Sequence, residues 1–223
     1  FSCPSRADRA TRKRDIGTSP WDSKPGNQNI TMHREATSSH ANFPAMTSRR
    51  SALLWINALG GTAVLASYAY GFIVHPDTVG LMWGGVPESW RGLYTTAMFP
   101  AAIGYFPMTF FLLFRTDLEQ PIQLGPQLGT TLAALYCAIM ISSALWMPMT
   151  FAYIAQPSAA LWVGICFVLA LVGASALCII ALLTQLRPDP PGIAWRLALL
   201  GSLGFAFQTA VLDAVIWPLL FGG

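Results

Sequence analysis

One acidic residue, Asp213, lies inside a long apolar stretch near the end of the chain, and Gln208 precedes it by five positions. An acid at the centre of a bilayer costs about 3 kcal/mol on insertion scales, so it normally faces a cavity or a partner group. Trp217 follows one helical turn later and shares the face of Asp213. Asp213 is therefore predicted to belong to a ligand cavity or polar network, or to bond a neighbouring helix in its protonated form.

Seven of the eight tryptophans follow residue 50. Four of them lie within a turn or two of a predicted helix end, as is typical of the aromatic belt at a membrane interface: Trp55, Trp90, Trp162 and Trp195. Trp146 instead lies deep within a predicted helix, so its indole N–H needs a partner or a cavity. Asp213 and the tryptophans around it thus carry most of the functional information in the sequence.

Simple counts disfavour several other kinds of site. His75 is the one histidine after residue 50, so haem held by two histidines within the body of the chain is excluded. No lysine follows Lys24, which excludes a retinal Schiff base. The four cysteines lack the spacing of a zinc site: Cys3, Cys137, Cys166 and Cys178. No G-x-S-x-G motif supports a hydrolase. No covalently bound cofactor is predicted.

Five nearly uncharged stretches must position these residues. Each has roughly the 20 residues that a membrane-crossing helix needs: 51–74, 92–114, 129–155, 159–186 and 197–221. The chain is 54% hydrophobic and 10% charged, whereas soluble domains carry about 25% charged residues. The predicted fold is all-α: an integral membrane bundle of five transmembrane helices over residues 49–223, with the lipid bilayer as its first partner.

Residues 1–48 have a different character. They are polar, rich in Ser, Thr and Arg, and without apolar periodicity, so a disordered basic head is predicted. It is interpreted as a transit peptide, a plain tail or upstream sequence preceding a start at Met32 or Met46. Its scattered charges are typical of solvation, and no nucleic-acid partner is predicted.

Arginines flank the stretches unequally. If the amino terminus is cytosolic, only Arg91 lies on the opposite side of the membrane, as the positive-inside rule favours. Five arginines then lie on the cytosolic side: Arg49, Arg50, Arg115, Arg187 and Arg196. In a mitochondrial or plastid membrane, "cytosolic" stands for the corresponding compartment. The loop after the first stretch carries Trp83 and Trp90. It is predicted either to cover the end of the bundle as a lid or to lie at the interface as a connector.

Three segments of the sequence resemble motifs of one protein family. Residues 90–95 (WRGLYT) resemble the W-x-x-L-Y-[ST] pattern of the tryptophan-rich sensory protein/translocator protein family, whose members also have five helices. Residues 143–151 (SALWMPMTF) resemble its N-x-x-W-x-P-x-x-F pattern, and residues 212–217 (LDAVIW) its L-N-x-x-x-W ending. Ser143 and Asp213 stand where the family has asparagine.

The resemblance implies a cavity that opens under the first loop and binds a porphyrin, a haem precursor or another flat lipophilic molecule. It implies a role as sensor or carrier, with light-dependent porphyrin breakdown as the one enzymatic extension. The ligand-binding positions that it implies, with Trp83 of the first loop added, are eight: Trp83, Trp90, Tyr94, Trp146, Pro148, Phe151, Asp213 and Trp217.

Two other functions stay open. A structural membrane subunit of a larger organelle complex, or a homodimer, would pack through small residues such as Ala170, Gly173 and Ala174. A small transporter would use Asp213 as a proton-coupled acid.

Overall fold

The computed structural model describes residues 48–123 and 125–221, and the regular elements of this part are all helical. The predicted basic head therefore lies outside the described residues, except for Ser48, which begins the first helix. Five helices are long and apolar enough to cross a membrane: α1 Ser48–Val74, α2 Glu88–Phe114, α3 Leu128–Ala155, α4 Ala159–Gln185 and α5 Ile193–Phe221. The predicted fold class, an all-α bundle of a multi-pass membrane protein, is confirmed.

The helices extend up to four residues beyond the apolar stretches. α1 includes Arg49 and Arg50, and α2 begins at Glu88, because charged side chains at the first turn reach the interface from inside the helix. α4 begins after Ser158, whose hydroxyl accepts a hydrogen bond from the Leu161 N–H at 3.3 Å. Only three residues separate α3 from α4, so these two helices are antiparallel neighbours.

α5 is not a uniform α-helix. It is α-helical over Ile193–Ala206, π-helical over Phe207–Ile216 and α-helical again over Trp217–Phe221. A π-helix bonds each N–H to the carbonyl five residues earlier, and such segments are frequent at functional sites. The Trp217 N–H accordingly bonds the Leu212 carbonyl. The wider spiral changes which side chains share a face in this part of α5.

The helices do not pack in sequence order. α1 lies along α3, α3 along α4, α4 along α5, and α5 along α2, whereas α1 and α2 have no extensive contact. Only three residues of α1 are buried: Leu53, Ser67 and Gly71. The bundle is thus an incomplete ring with a gap between its first two helices.

Small residues set the closest approach in the ring. Gly104 of α2 faces Gly201 of α5, and a Cβ built on either would collide with the backbone of the other. Without a hydrophobic force between helices in lipid, such close backbone packing is a principal source of association. The outer surface carries large apolar side chains such as Ile73 and Phe106, which suit hydrocarbon and not water.

We expect Gly201→Ala to destabilise the protein by about 1–3 kcal/mol, because the added methyl group forces the backbones of α2 and α5 apart. Thermal unfolding in detergent measures this. The matched control is Gly92→Ala, also in a helix, where a Cβ meets nothing within 4 Å. That variant should be neutral or more stable, since alanine is the better helix former. Equal effects of the two substitutions would contradict the packing described.

Candidate ligand-binding crevice

A crevice of about 1060 Å³ occupies the gap between α1 and α2 and reaches the inner faces of α3, α4 and α5. Leu65 of α1 and Phe106 of α2 stand at its rim, and each side chain is 73% exposed. Because these two helices do not close on each other, the crevice opens sideways, at the level of the membrane-spanning segments. A molecule dissolved in the bilayer can enter it without crossing the interface.

The walls of the crevice are mostly apolar. One face of α1 contributes residues three or four positions apart, among them Leu54, Val64 and Tyr68. The facing side of α2 contributes Met98 and Ala101 in the same manner. These surfaces provide hydrophobic contact along much of the length of both helices.

One hydrogen bond crosses the gap. The Tyr105 hydroxyl of α2 donates to Oδ1 of Asn57 of α1, and the amide of Asn57 donates to the Leu53 carbonyl at 2.8 Å. Asn57 was not among the predicted site residues, although it is the one amide side chain in its apolar stretch. A lone amide in an apolar helix is the signal that could have revealed it, because it needs partners in lipid.

Asp213 lies on the inner wall of the crevice, on α5. Nε2 of Gln208 donates a hydrogen bond to Oδ1 of Asp213 at 2.8 Å. Positions five apart are about 140° from each other around an α-helix at 100° per residue. The π-helical segment, in which each N–H bonds the carbonyl five residues earlier, rotates less per residue and brings the two side chains within hydrogen-bond distance. Both belong to the crevice wall.

Two buried polar atoms in the crevice wall lack partners. Among the described residues, neither Nε1 of Trp146 nor Oε1 of Gln208 makes a hydrogen bond. An unpaired buried polar group is costly and asks for an explanation, such as a ligand or a water molecule. The unpaired acceptor belongs to Gln208, whose Nε2 bonds the carboxyl group of Asp213, and the unpaired donor belongs to Trp146 elsewhere in the crevice lining.

An aromatic cluster closes the end of the bundle beside the first loop. Trp217 is 4% exposed, and its Nε1–H donates to the Met82 carbonyl of that loop at 3.0 Å. Trp146 meets Trp217 edge to face, with ring centroids 6.0 Å apart. Trp162 and Phe221 complete the cluster.

The first loop packs against this aromatic cluster. It contains a 3₁₀ helix, Val79–Trp83, followed by Gly84, whose φ of 51° favours glycine and whose backbone touches Phe221. Val86 of the loop is buried. The loop therefore covers this end of the bundle.

The eight predicted ligand-binding residues fall into different places. Trp146 and Asp213 line the crevice. Trp83 of the first loop packs on the region that contains Tyr94 and Trp217, where the Tyr94 hydroxyl donates to the Leu212 carbonyl at 3.2 Å.

The other three lie outside the crevice wall. Trp90 is 45% exposed at the start of α2. Phe151 stacks on His75 with ring centroids 4.4 Å apart. Pro148 lies inside α3, two residues beyond Trp146, and supplies no N–H to the carbonyl four residues earlier.

Comparison with protein-family models, curated proteins and solved structures gave no match. Inferences about function therefore depend on the geometry of the crevice and on the sequence patterns.

Two tryptophans provide a matched test of the hydrogen bonding. Trp217→Phe leaves the buried Met82 carbonyl without its donor, whereas Trp146→Phe removes an N–H that has no partner in the described structure. We expect Trp217→Phe to lower the free energy of unfolding by about 1–3 kcal/mol more than Trp146→Phe. Thermal unfolding of both variants in detergent checks this, and a greater loss for Trp146→Phe would refute the assignment.

Proposed function

We propose that this membrane protein binds a flat lipophilic molecule, a porphyrin or related tetrapyrrole, in the crevice between α1 and α2, as a sensor or carrier. The observation that carries the proposal is the crevice itself, with its mostly apolar walls, its volume of about 1060 Å³ and its minority of polar side chains. Binding sites for small molecules typically combine a mostly apolar concave surface with a few polar groups that fix orientation.

Trp146 is the central contact in this proposal. Its indole ring offers an aromatic face to a planar ligand, and its unpaired N–H offers a hydrogen bond to an acceptor on the ligand's edge. Oε1 of Gln208 accepts a hydrogen bond from the same ligand, while the carboxyl group of Asp213 holds the Gln208 amide in place. The ligand satisfies polar atoms that are otherwise unpaired.

The sequence patterns support the tetrapyrrole class. They resemble the tryptophan-rich sensory protein/translocator protein family, and two of the positions that they carry, Trp146 and Asp213, line the same crevice. We propose membership of this family on that basis. We further propose that the amino terminus faces the cytosol, or the corresponding compartment of an organelle, because five of the six helix-flanking arginines lie on that side.

Titration of the purified protein with protoporphyrin IX tests the proposed function. We expect saturable quenching of tryptophan fluorescence at micromolar ligand. Trp146→Ala should weaken binding about tenfold, because it removes the aromatic contact and a hydrogen bond. Trp55→Ala is the control for the loss of one fluorophore, since Trp55 is 62% exposed and lies outside the crevice wall.

Two results would count against it. Absence of saturable quenching at micromolar ligand would refute tetrapyrrole binding. Equal affinities of the Trp146→Ala and Trp55→Ala variants would show that the ligand binds elsewhere.

Proton-coupled transport is the second candidate, favoured by an acidic residue in a crevice that opens sideways. In proteoliposomes with a pH gradient, this function predicts flux of a lipophilic substrate that Asp213→Asn abolishes. Asp117→Asn is the control, because Asp117 lies in the loop between α2 and α3. Flux that persists in Asp213→Asn would contradict the transporter.

For a structural subunit, the small-residue face of α4 available to another membrane helix is smaller than the sequence predicted. Gly173 is buried inside the chain, where a Cβ would meet Ala210 of α5. Ala170 and Ala174 remain exposed on the outer face of α4. Two alanines one turn apart provide a narrow contact for another membrane helix.

A further inference from the structure

Arg50 continues the face of α1 that lines the crevice. Leu54, Asn57 and Gly61 line it at intervals of three and four residues, and Arg50 precedes Leu54 by one turn. The side chain of Arg50 therefore belongs to the same stripe as the lining residues, at the end of α1 where the helix begins.

A contact with α2 shows where the guanidinium group of Arg50 lies relative to the crevice. Its guanidinium carbon lies 5.8 Å from the centre of the Phe114 ring, and Phe114 lines the crevice. Phe114 is the last residue of α2, so the guanidinium lies beside the end of the crevice that is remote from the first loop. A positive charge thus marks one end of the crevice, and Asp213 lies towards the other.

Within the described part of the chain, the guanidinium group of Arg50 lacks the ion pair and hydrogen bond that its neighbour Arg49 makes. Nε of Arg49 pairs with Oε1 of Glu119 at 2.9 Å, and its Nη1 donates to the Thr130 hydroxyl at 3.0 Å. Within residues 48–123 and 125–221, Arg50 has no carboxylate partner, and its Nε is buried without a hydrogen bond. A guanidinium group matches carboxylate and phosphate oxygens through two parallel N–H bonds.

We propose that Arg50 binds a carboxylate of the crevice ligand, so that the protein selects acidic lipophilic molecules. This inference rests on the proposed function and narrows its ligand class. The apolar body of the ligand lies along α1 and α2, and its acidic group lies at the beginning of α1. The opposite orientation would bring two acidic groups together at Asp213. Charge therefore fixes the direction of the ligand as well as its class.

The decisive comparison uses protoporphyrin IX and its dimethyl ester, which have the same ring but differ in charge. Binding is measured by fluorescence quenching in nanodiscs of zwitterionic lipid. We expect the wild type to bind the free acid at least about tenfold more tightly than the ester, as a hydrogen-bonded charge pair provides. Arg50→Gln should abolish this preference and leave the affinity for the ester unchanged.

Arg49→Gln is the matched control, because it removes one positive charge next to Arg50 without touching the proposed contact. It should keep the preference for the free acid. Arg50→Lys retains the charge that supports membrane insertion but loses the paired N–H geometry, so its preference should fall between those of wild type and Arg50→Gln.

The experiment distinguishes a failure of the Arg50 proposal from a failure of the proposed function. If wild type binds acid and ester equally, the role of Arg50 is overturned while the proposed function stands. If neither compound binds, the proposed function itself fails. If the preference for the free acid disappears in nanodiscs of anionic phospholipid, a lipid phosphate occupies Arg50, and the carboxylate assignment is overturned.

Discussion

Hydrocarbon offers no water to a polar group, and this constraint governs the interior of the bundle. The hydroxyl of Tyr94 bonds a carbonyl of α5, the indole of Trp217 bonds a carbonyl of the first loop, and Tyr105 bonds Asn57 across the gap. Each bond joins elements that are distant in sequence, so satisfying the polar groups also fixes the helix arrangement. Among the described residues, three buried side-chain atoms escape this rule: two belong to Trp146 and Gln208, which line the crevice, and the third is Nε of Arg50 at the beginning of α1.

The π-helical segment of α5 connects this bonding to the crevice. Its wider repeat lets Gln208 reach Asp213 and aligns the Leu212 carbonyl with both the Trp217 N–H and the Tyr94 hydroxyl. A regular α-helix would turn Gln208 about 140° away from Asp213 and leave an acid in an apolar environment without its amide partner. The irregular backbone is thus part of the cost of placing a carboxyl group inside the membrane.

The helices could be predicted from sequence because hydropathy and length are local properties, and the predicted stretches agree with α1 to α5 to within four residues. The prominence of Trp146 and Asp213 was predictable for the same reason, since each is exceptional within its own stretch. The gap between α1 and α2 was not predictable, because it depends on which helices pack together. The pairing of Gln208 with Asp213 also escaped, because α-helical spacing separates them.

The separation of α1 from α2 leaves the first helix as a wall of the crevice with few other attachments. α1 packs extensively only along α3, and one hydrogen bond, from Tyr105 to Asn57, joins it to α2. Under the proposed function, a ligand in the crevice would contact α1 and α2 together, so its binding energy would add to the weak attachment between them. By linkage, whatever stabilises α1 in this position strengthens binding, and the ligand stabilises α1 by the same amount. Under the proposed function, the stability of α1 in this position is therefore coupled to the occupancy of the crevice.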